Sequence, residues 1–276
     1  MTMASARDGT TVLDDLRFHF LDWGTTSRPP LLLLHGGAQT AHSWDDVAPD
    51  LATDHHVLAL DQRGHGDSAR APGGVYRRAD FVDDIRGFLD DRAWPAATLI
   101  ALSMGGLNAI AFAAAHPERV RGLVVVDVAP TIERGGRDAI ARQLTRRDFD
   151  SFDDAVAQAH AFNPRRTVEN IRERLRHALR ETPEGRWTYK FDPAVFAAAD
   201  LELEALWDDV RRVRAPALLV RGAESPILAA ETAERFRREL PGSAVAEVAG
   251  AGHSVMGDNP AGFIAAVRPF LARHHL

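Results

Sequence analysis

Cysteine is absent from the 276-residue chain. That removes disulfides, thiolate metal sites and a cysteine nucleophile, and it agrees with a reducing, cytoplasmic setting. Lysine is nearly absent as well. Lys190 is the single one among 33 basic residues, the rest being arginine, and with the many alanines this skew is that of GC-rich, bacterial coding. No excess of positive charge exists, since 39 acidic residues leave a formal net charge of −6. The arginine pairs Arg77-Arg78, Arg146-Arg147, Arg165-Arg166, Arg211-Arg212 and Arg237-Arg238 are scattered among Asp and Glu. A nucleic-acid partner is therefore not expected. Long apolar runs are missing too: Leu31 to Leu34 and Leu123 to Val126 fall far short of the ~20 residues that cross a bilayer, so no membrane partner is expected. The start, MTMASARDGT, has no apolar segment behind its Arg, so no secretory signal is expected. What is present is an ordinary globular balance, 45% hydrophobic and 26% charged, in a chain long enough for a large core.

Short β-type runs alternate with helical stretches, the pattern of a mostly parallel sheet covered on both faces. Strands are expected at Arg17 to Trp23, Leu31 to Leu34, His56 to Leu60, Ala97 to Leu102, Arg121 to Asp127, Pro216 to Arg221 and Ala244 to Val248. Helices are expected at Ser43 to Ala52, Arg78 to Arg92, Met104 to Ala115, Ala229 to Leu240 and Pro260 to Ala272. Between Pro130 and Arg214 no strand is expected, only helical patches such as Asp138 to Arg146 and Val168 to Arg180. Residues 130–214 therefore read as a helical lid inserted into a core of residues 1–129 and 215–276.

Three loops carry chemistry. In Leu99-Ile100-Ala101-Leu102-Ser103-Met104-Gly105-Gly106 a serine stands between a buried strand and an Ala-rich helix. Such a turn projects the hydroxyl above the sheet edge and needs small residues two positions away, here Ala101 and Gly105. A serine that merely caps a helix is the plain alternative. His35-Gly36-Gly37 ends the first buried strand, where the N–H groups of Gly37 and Met104 can converge on an oxyanion; the His35 ring itself reads as structural. Gly250-Ala251-Gly252-His253 follows the last strand, and its glycines let an imidazole turn back over the sheet. His55, His56, His116, His177, His274 and His275 read as solvated. The Gly-punctuated loop Asp61 to Ser68 reads as a structural polar network.

Together, in this order, these motifs resemble a lid-bearing member of the α/β-hydrolase superfamily, along nearly the whole chain. The resemblance implies a nucleophilic serine, an acid and a histidine in that chain order, Ser103 and His253 being the first and last. It implies no metal and no cofactor. A nucleophilic Asp at the elbow, as in haloalkane dehalogenases and epoxide hydrolases of this fold, is excluded by Ser103. The family's acid usually follows the strand at Pro216 to Arg221, where this chain has Gly222-Ala223-Glu224-Ser225-Pro226-Ile227. Glu224 and Asp127 remain as candidates. Asp127 is expected, because Pro226 stiffens its own position and the one before it, whereas some superfamily members carry the acid at the end of the strand that Asp127 closes.

The expected function is hydrolysis of a carboxylic ester or lactone through an acyl-enzyme. Pocket candidates for an apolar or aromatic substrate are Trp44, Phe162, Trp187, Tyr189 and Met256. Hydrolysis of a carbon–carbon bond in a diketone is a rival, weakened by Leu102 before the serine and by Gly37-Ala38-Gln39-Thr40 as oxyanion segment. Cofactor-free perhydrolases share the triad. A small-molecule binding protein without turnover is the rival from outside enzymology.

Overall fold

The computed structural model describes residues 5–133, 135–136, 138, 147–196 and 203–276. In chain order the strands are β1 (Arg7–Leu13), β2 (Leu16–Trp23), β3 (Pro30–Leu34), β4 (His56–Leu60), β5 (Ala97–Leu102) and β6 (Val120–Val126). Then come β7 (Asp148–Phe149), β8 (Leu179–Glu181), β9 (Trp187–Tyr189), β10 (Ala217–Gly222) and β11 (Ala244–Val248). Eight of them form one sheet in the order β1-β2-β4-β3-β5-β6-β10-β11. Only the β1–β2 and β2–β4 pairings are antiparallel.

The central strands are apolar at nearly every position because both faces are covered. Leu32, Leu34, Leu99 and Val125 enter one core with Phe88, Phe112 and Phe236. Their neighbours Leu31, Leu33, Ile100 and Val124 enter the other with Trp44 and Phe263. Helices Arg78–Asp91, Met104–Ala115, Leu206–Arg212 and Ala230–Glu239 cover the first face. Ala48–Leu51 and Pro260–Arg273 cover the second. Burial of each such leucine contributes roughly 1.5–3 kcal/mol, so the sheet centre holds the fold.

Expectation and structure part in four places. β1 had no expected strand, because its polar sequence RDGTTVL shows no apolar period; it is held as an edge by the β2 ladder through the turn Asp14-Asp15, both at positive φ (44° and 63°), the backbone of a tight hairpin. The expected helix Ser43 to Ala52 is two short pieces, a 3-10 turn at Ala41–Trp44 and Ala48–Leu51. His55 and His56 are buried, not solvated: His55 lies between the backbone oxygens of Leu51 and Leu276, and His56 bonds Asp22. Finally, the segment between β6 and β10 contains strands β7, β9 and β8 in a small antiparallel sheet. Most of the expected helix Asp138 to Arg146 lies outside the described residues.

That segment has its own apolar centre of Phe149, Val156, Ile171, Leu175 and Leu179. Helices Phe152–Phe162 and Val168–Ala178 are capped by Ser151 and Thr167, whose hydroxyls accept the N–H groups of Asp154 and Asn170. Polar pins fasten it to the sheet: the buried Arg166–Asp258 pair, Lys190 on Asp67, and the Tyr76 hydroxyl donating to Asp192. Among the described residues, no helix is long and apolar enough to cross a membrane.

Candidate active site

β5 ends at Leu102 and a helix begins at Met104, so Ser103 must reverse the chain in one residue. It does so at φ 52° and ψ −119°, a conformation that costs a non-glycine residue ~1–3 kcal/mol. Backbone bonds hold it there: the Ser103 N–H donates to Val126 O, and its carbonyl accepts the Leu107 N–H. The small residues nearby answer to contacts. A Cβ at Gly105 would lie 2.6 Å from the His35 carbonyl oxygen and 2.7 Å from that of Leu34. The helix thus rests directly on the end of β3, with its N-terminus and positive dipole end beneath Ser103.

Ser103, Met104, Gly37 and His253 line one cavity of about 590 Å³. A Cβ at Gly37 would stand 3.9 Å from Met104 Cβ, which sets the two expected oxyanion donors side by side. His253 arrives from the loop after β11. Its Nδ1 lies 2.8 Å from Asp127 Oδ2. Asp127 is fully buried at the end of β6, at φ 51°, with its N–H on Val220 O. Its carboxylate accepts the Gly222 N–H on Oδ1 at 2.9 Å and the Ser225 hydroxyl on Oδ2. Ser225 Oγ in turn accepts the N–H groups of Ile227 and Leu228, so its proton is free for Asp127. With the carboxylate accepting, Nδ1 of His253 carries the ring proton and Nε2 is left for the cavity. Gly222 must be glycine, because a Cβ would lie 2.1 Å from the Gly252 carbonyl oxygen.

Glu224 is not brought to His253. It is about half exposed and accepts from Arg165 Nε at 2.9 Å. His35 is fully buried: its Nδ1 donates to Gly36 O and its Nε2 accepts the Gln62 N–H. Burial holds its pKa below the usual histidine value, and burial pushes that of neighbouring His65 down to about 3. The loop Asp61 to Ser68 is pinned by Asp61, which accepts from Ala41 N–H, Asp67 N–H and His19 Nδ1. Burial opposes charge on both partners, but the contact prevails, with His19 raised to about 8 and Asp61 lowered.

Two of the five pocket candidates line the cavity, Phe162 and Tyr189. Trp44 does not: it is fully buried under the sheet, 6.2 Å from the Phe263 ring. Met256 is buried in the same core, because the turn after His253 points it inward. Trp187 faces sideways onto Phe152 within the inserted segment. Sequence reading missed Phe196, Leu203 and three arginines, Arg165, Arg166 and Arg174, all on the cavity wall. Arg174 had a legible signal, since it shares one helical stripe with Ile171, Leu175 and Ala178 (i, i+3, i+4, i+7). Among the described residues two histidine–carboxylate clusters have ligand-type atoms within 4.8 Å of one another, His42 with Asp45 and His177, and His19 with Asp61 and Asp67. In the first, the His42 and His177 rings stack at 3.4 Å, so His177 is half-buried and not solvated.

A family model described as the alpha/beta hydrolase fold matches residues 29–260. An esterase of Mycobacterium tuberculosis is 36% identical over 259 residues, covering 91% of this chain and 85% of that protein. A 2-(acetamidomethylene)succinate hydrolase of Mesorhizobium japonicum is 28% identical, covering 89% of this chain and 88% of its own length. Among solved structures, an E-2-(acetamidomethylene)succinate hydrolase superposes with a TM-score of 0.88 at 25% identity, covering 97% of this chain and all of that one.

Proposed function

The chain belongs to the α/β-hydrolase fold family, and we propose that it hydrolyses a carboxylic ester or lactone with Ser103 as nucleophile, His253 as base and Asp127 as the acid partner. The observation that carries this reading is the meeting of three separate loops at one sheet edge: the strained Ser103 turn, His253 on the same cavity, and Asp127 bonded to the far side of that imidazole.

Ser103 Oγ attacks the carbonyl carbon while Nε2 of His253 takes its proton. The electron pair moves to the carbonyl oxygen, which the N–H groups of Gly37 and Met104 receive. Collapse expels the alkoxide, protonated by the same imidazole. Water then gives a proton to Nε2 and attacks the acyl-enzyme, and collapse releases the acid while the imidazolium returns that proton to Ser103 Oγ. Asp127 fixes the tautomer and balances the imidazolium that forms twice in each cycle. Residues 130–214 act as a lid, supplying Phe162 and Tyr189 to an apolar wall. No step uses a metal or a cofactor.

With p-nitrophenyl butyrate as substrate, Ser103→Ala leaves only the ~10³–10⁴-fold over water that oxyanion donors and binding supply. His253→Gln does comparable damage. Near-wild-type hydrolysis by folded Ser103→Ala overturns the mechanism, and no hydrolysis of any ester or lactone by the wild type points to a binding protein.

A further inference from the structure

Among the described residues three arginines line the cavity, and two are neutralised. Arg165 is paired with Glu224, and Arg166 with the buried Asp258. Arg174 differs. Among the described residues its two terminal nitrogens donate only to Ser43, to Oγ at 3.0 Å and to the carbonyl at 3.4 Å. Among the described residues no carboxylate lies within 4.0 Å of it, and its remaining N–H donors have no partner. The nearby carboxylates are engaged elsewhere: Asp45 with His42, Asp46 with the Asn170 amide. A guanidinium on an otherwise apolar helix stripe, without a counter-ion, is a costly arrangement for a protein that only needs to fold.

We propose that Arg174 receives a carboxylate carried by the substrate away from its scissile bond, so that the natural substrate is an ester or lactone of a carboxylate-bearing acid or alcohol. This deepens the ester-hydrolase reading and rests on it. Charge decides for a carboxylate over a phosphate: among the described residues one positive charge is left on the wall after the two internal ion pairs, which a monoanion matches and a phosphate dianion exceeds. The planar fork of the guanidinium also suits a carboxylate held by two bonds. The anchor is itself braced toward the reacting end, since Ser43 Oγ donates to Gln39, whose amide reaches Ser254, the residue after His253. Burial, then the positive charge of Arg166, pushes the Arg174 pKa down to about 9, and Asp46, Asp45 and Asp258 offset only part of that. The group stays protonated at neutral pH, as a cation with no carboxylate partner among the described residues.

The test is a ratio of kcat/KM for paired esters, one anionic and one neutral, of equal length. Mono-p-nitrophenyl glutarate against p-nitrophenyl valerate carries the charge on the acyl half; 4-carboxyphenyl against phenyl butyrate carries it on the alcohol half. In at least one pair the wild type prefers the anionic member, and added sodium chloride erodes that preference. Arg174→Gln lowers the ratio at least ~tenfold, as expected for loss of a charge-assisted bond, and Arg174→Lys keeps part of it. Ratios near one in both pairs, or a preference that Arg174→Gln and salt leave in place, overturn the proposal. The salt series needs only wild-type protein, so a poorly folding variant does not spare it. Hydrolysis of the neutral esters, abolished by Ser103→Ala, separates failure of this assignment from failure of the serine mechanism.

Discussion

Strands β6 and β10 pair in parallel and end at the same edge of the sheet, but their ends do opposite things. β6 ends in Asp127, buried completely, aimed at His253 and accepting three hydrogen bonds. β10 runs into Glu224 and Ser225. Glu224 turns to solvent and Arg165, while Ser225 donates its hydroxyl to Asp127. The carboxylate has thus one home and the neighbouring strand end has become its support. An acid that orients a histidine does not need a particular strand. It needs burial, a full set of donors and the right side of the imidazole, and adjacent strand ends of one sheet offer the same reach.

That contrast can be broken by exchanging charges between the two ends. The largest effect is expected for Asp127→Asn, which keeps the shape but presents an amide donor toward Nδ1 and favours the wrong tautomer; kcat should fall by up to ~10⁴-fold. Adding Ser225→Asp to that variant places a carboxylate where the hydroxyl now meets Oδ2, and kcat should recover at least ~tenfold, equal to ~1.4 kcal/mol of barrier. No recovery would mean that the β10 end cannot reach the imidazole. Ser225→Ala removes one neutral hydrogen bond to the carboxylate and should cost about threefold to tenfold in kcat, on the scale of ~1 kcal/mol. The smallest effect belongs to Glu224→Gln, which loses only an exposed ion pair worth ~0–1 kcal/mol. All four are read as kcat on one p-nitrophenyl ester, with circular dichroism to confirm folding.

How far the amino-acid sequence reveals this arrangement differs from feature to feature, for physical reasons. Leu31 to Leu34 and Ala97 to Leu102 are legible because a strand buried on both faces has almost no polar positions to confuse it, Thr98 alone here. β1 and the short strands β7 to β9 are not, because an edge or a two- to three-residue strand is held by its neighbour's backbone and leaves no side-chain period. Ser103 and His253 stand out through the small residues that tight turns require. Asp127 is named with Glu224 as one of two candidates and preferred because Pro226 stiffens the other loop and because relatives of this fold can carry the acid there, whereas its support by Ser225 is invisible until β6 and β10 lie side by side. Trp44, Trp187 and Met256 show the limit for pocket residues. Their size marks them for burial, but which interior they enter depends on packing between distant segments. Arg174 shows the reverse: one arginine among many by composition, it is marked only by sharing a face with Ile171 and Leu175.

The central claim, that Asp127 rather than Glu224 sets His253 to activate Ser103, is tested most directly by the rate at which a fluorophosphonate labels Ser103. That readout needs no knowledge of the natural substrate. Asp127→Asn should slow labelling at least ~100-fold, and Glu224→Gln should stay within about tenfold of wild type. Fast labelling of Asp127→Asn together with slow labelling of Glu224→Gln would contradict the account and move the acid to the end of β10.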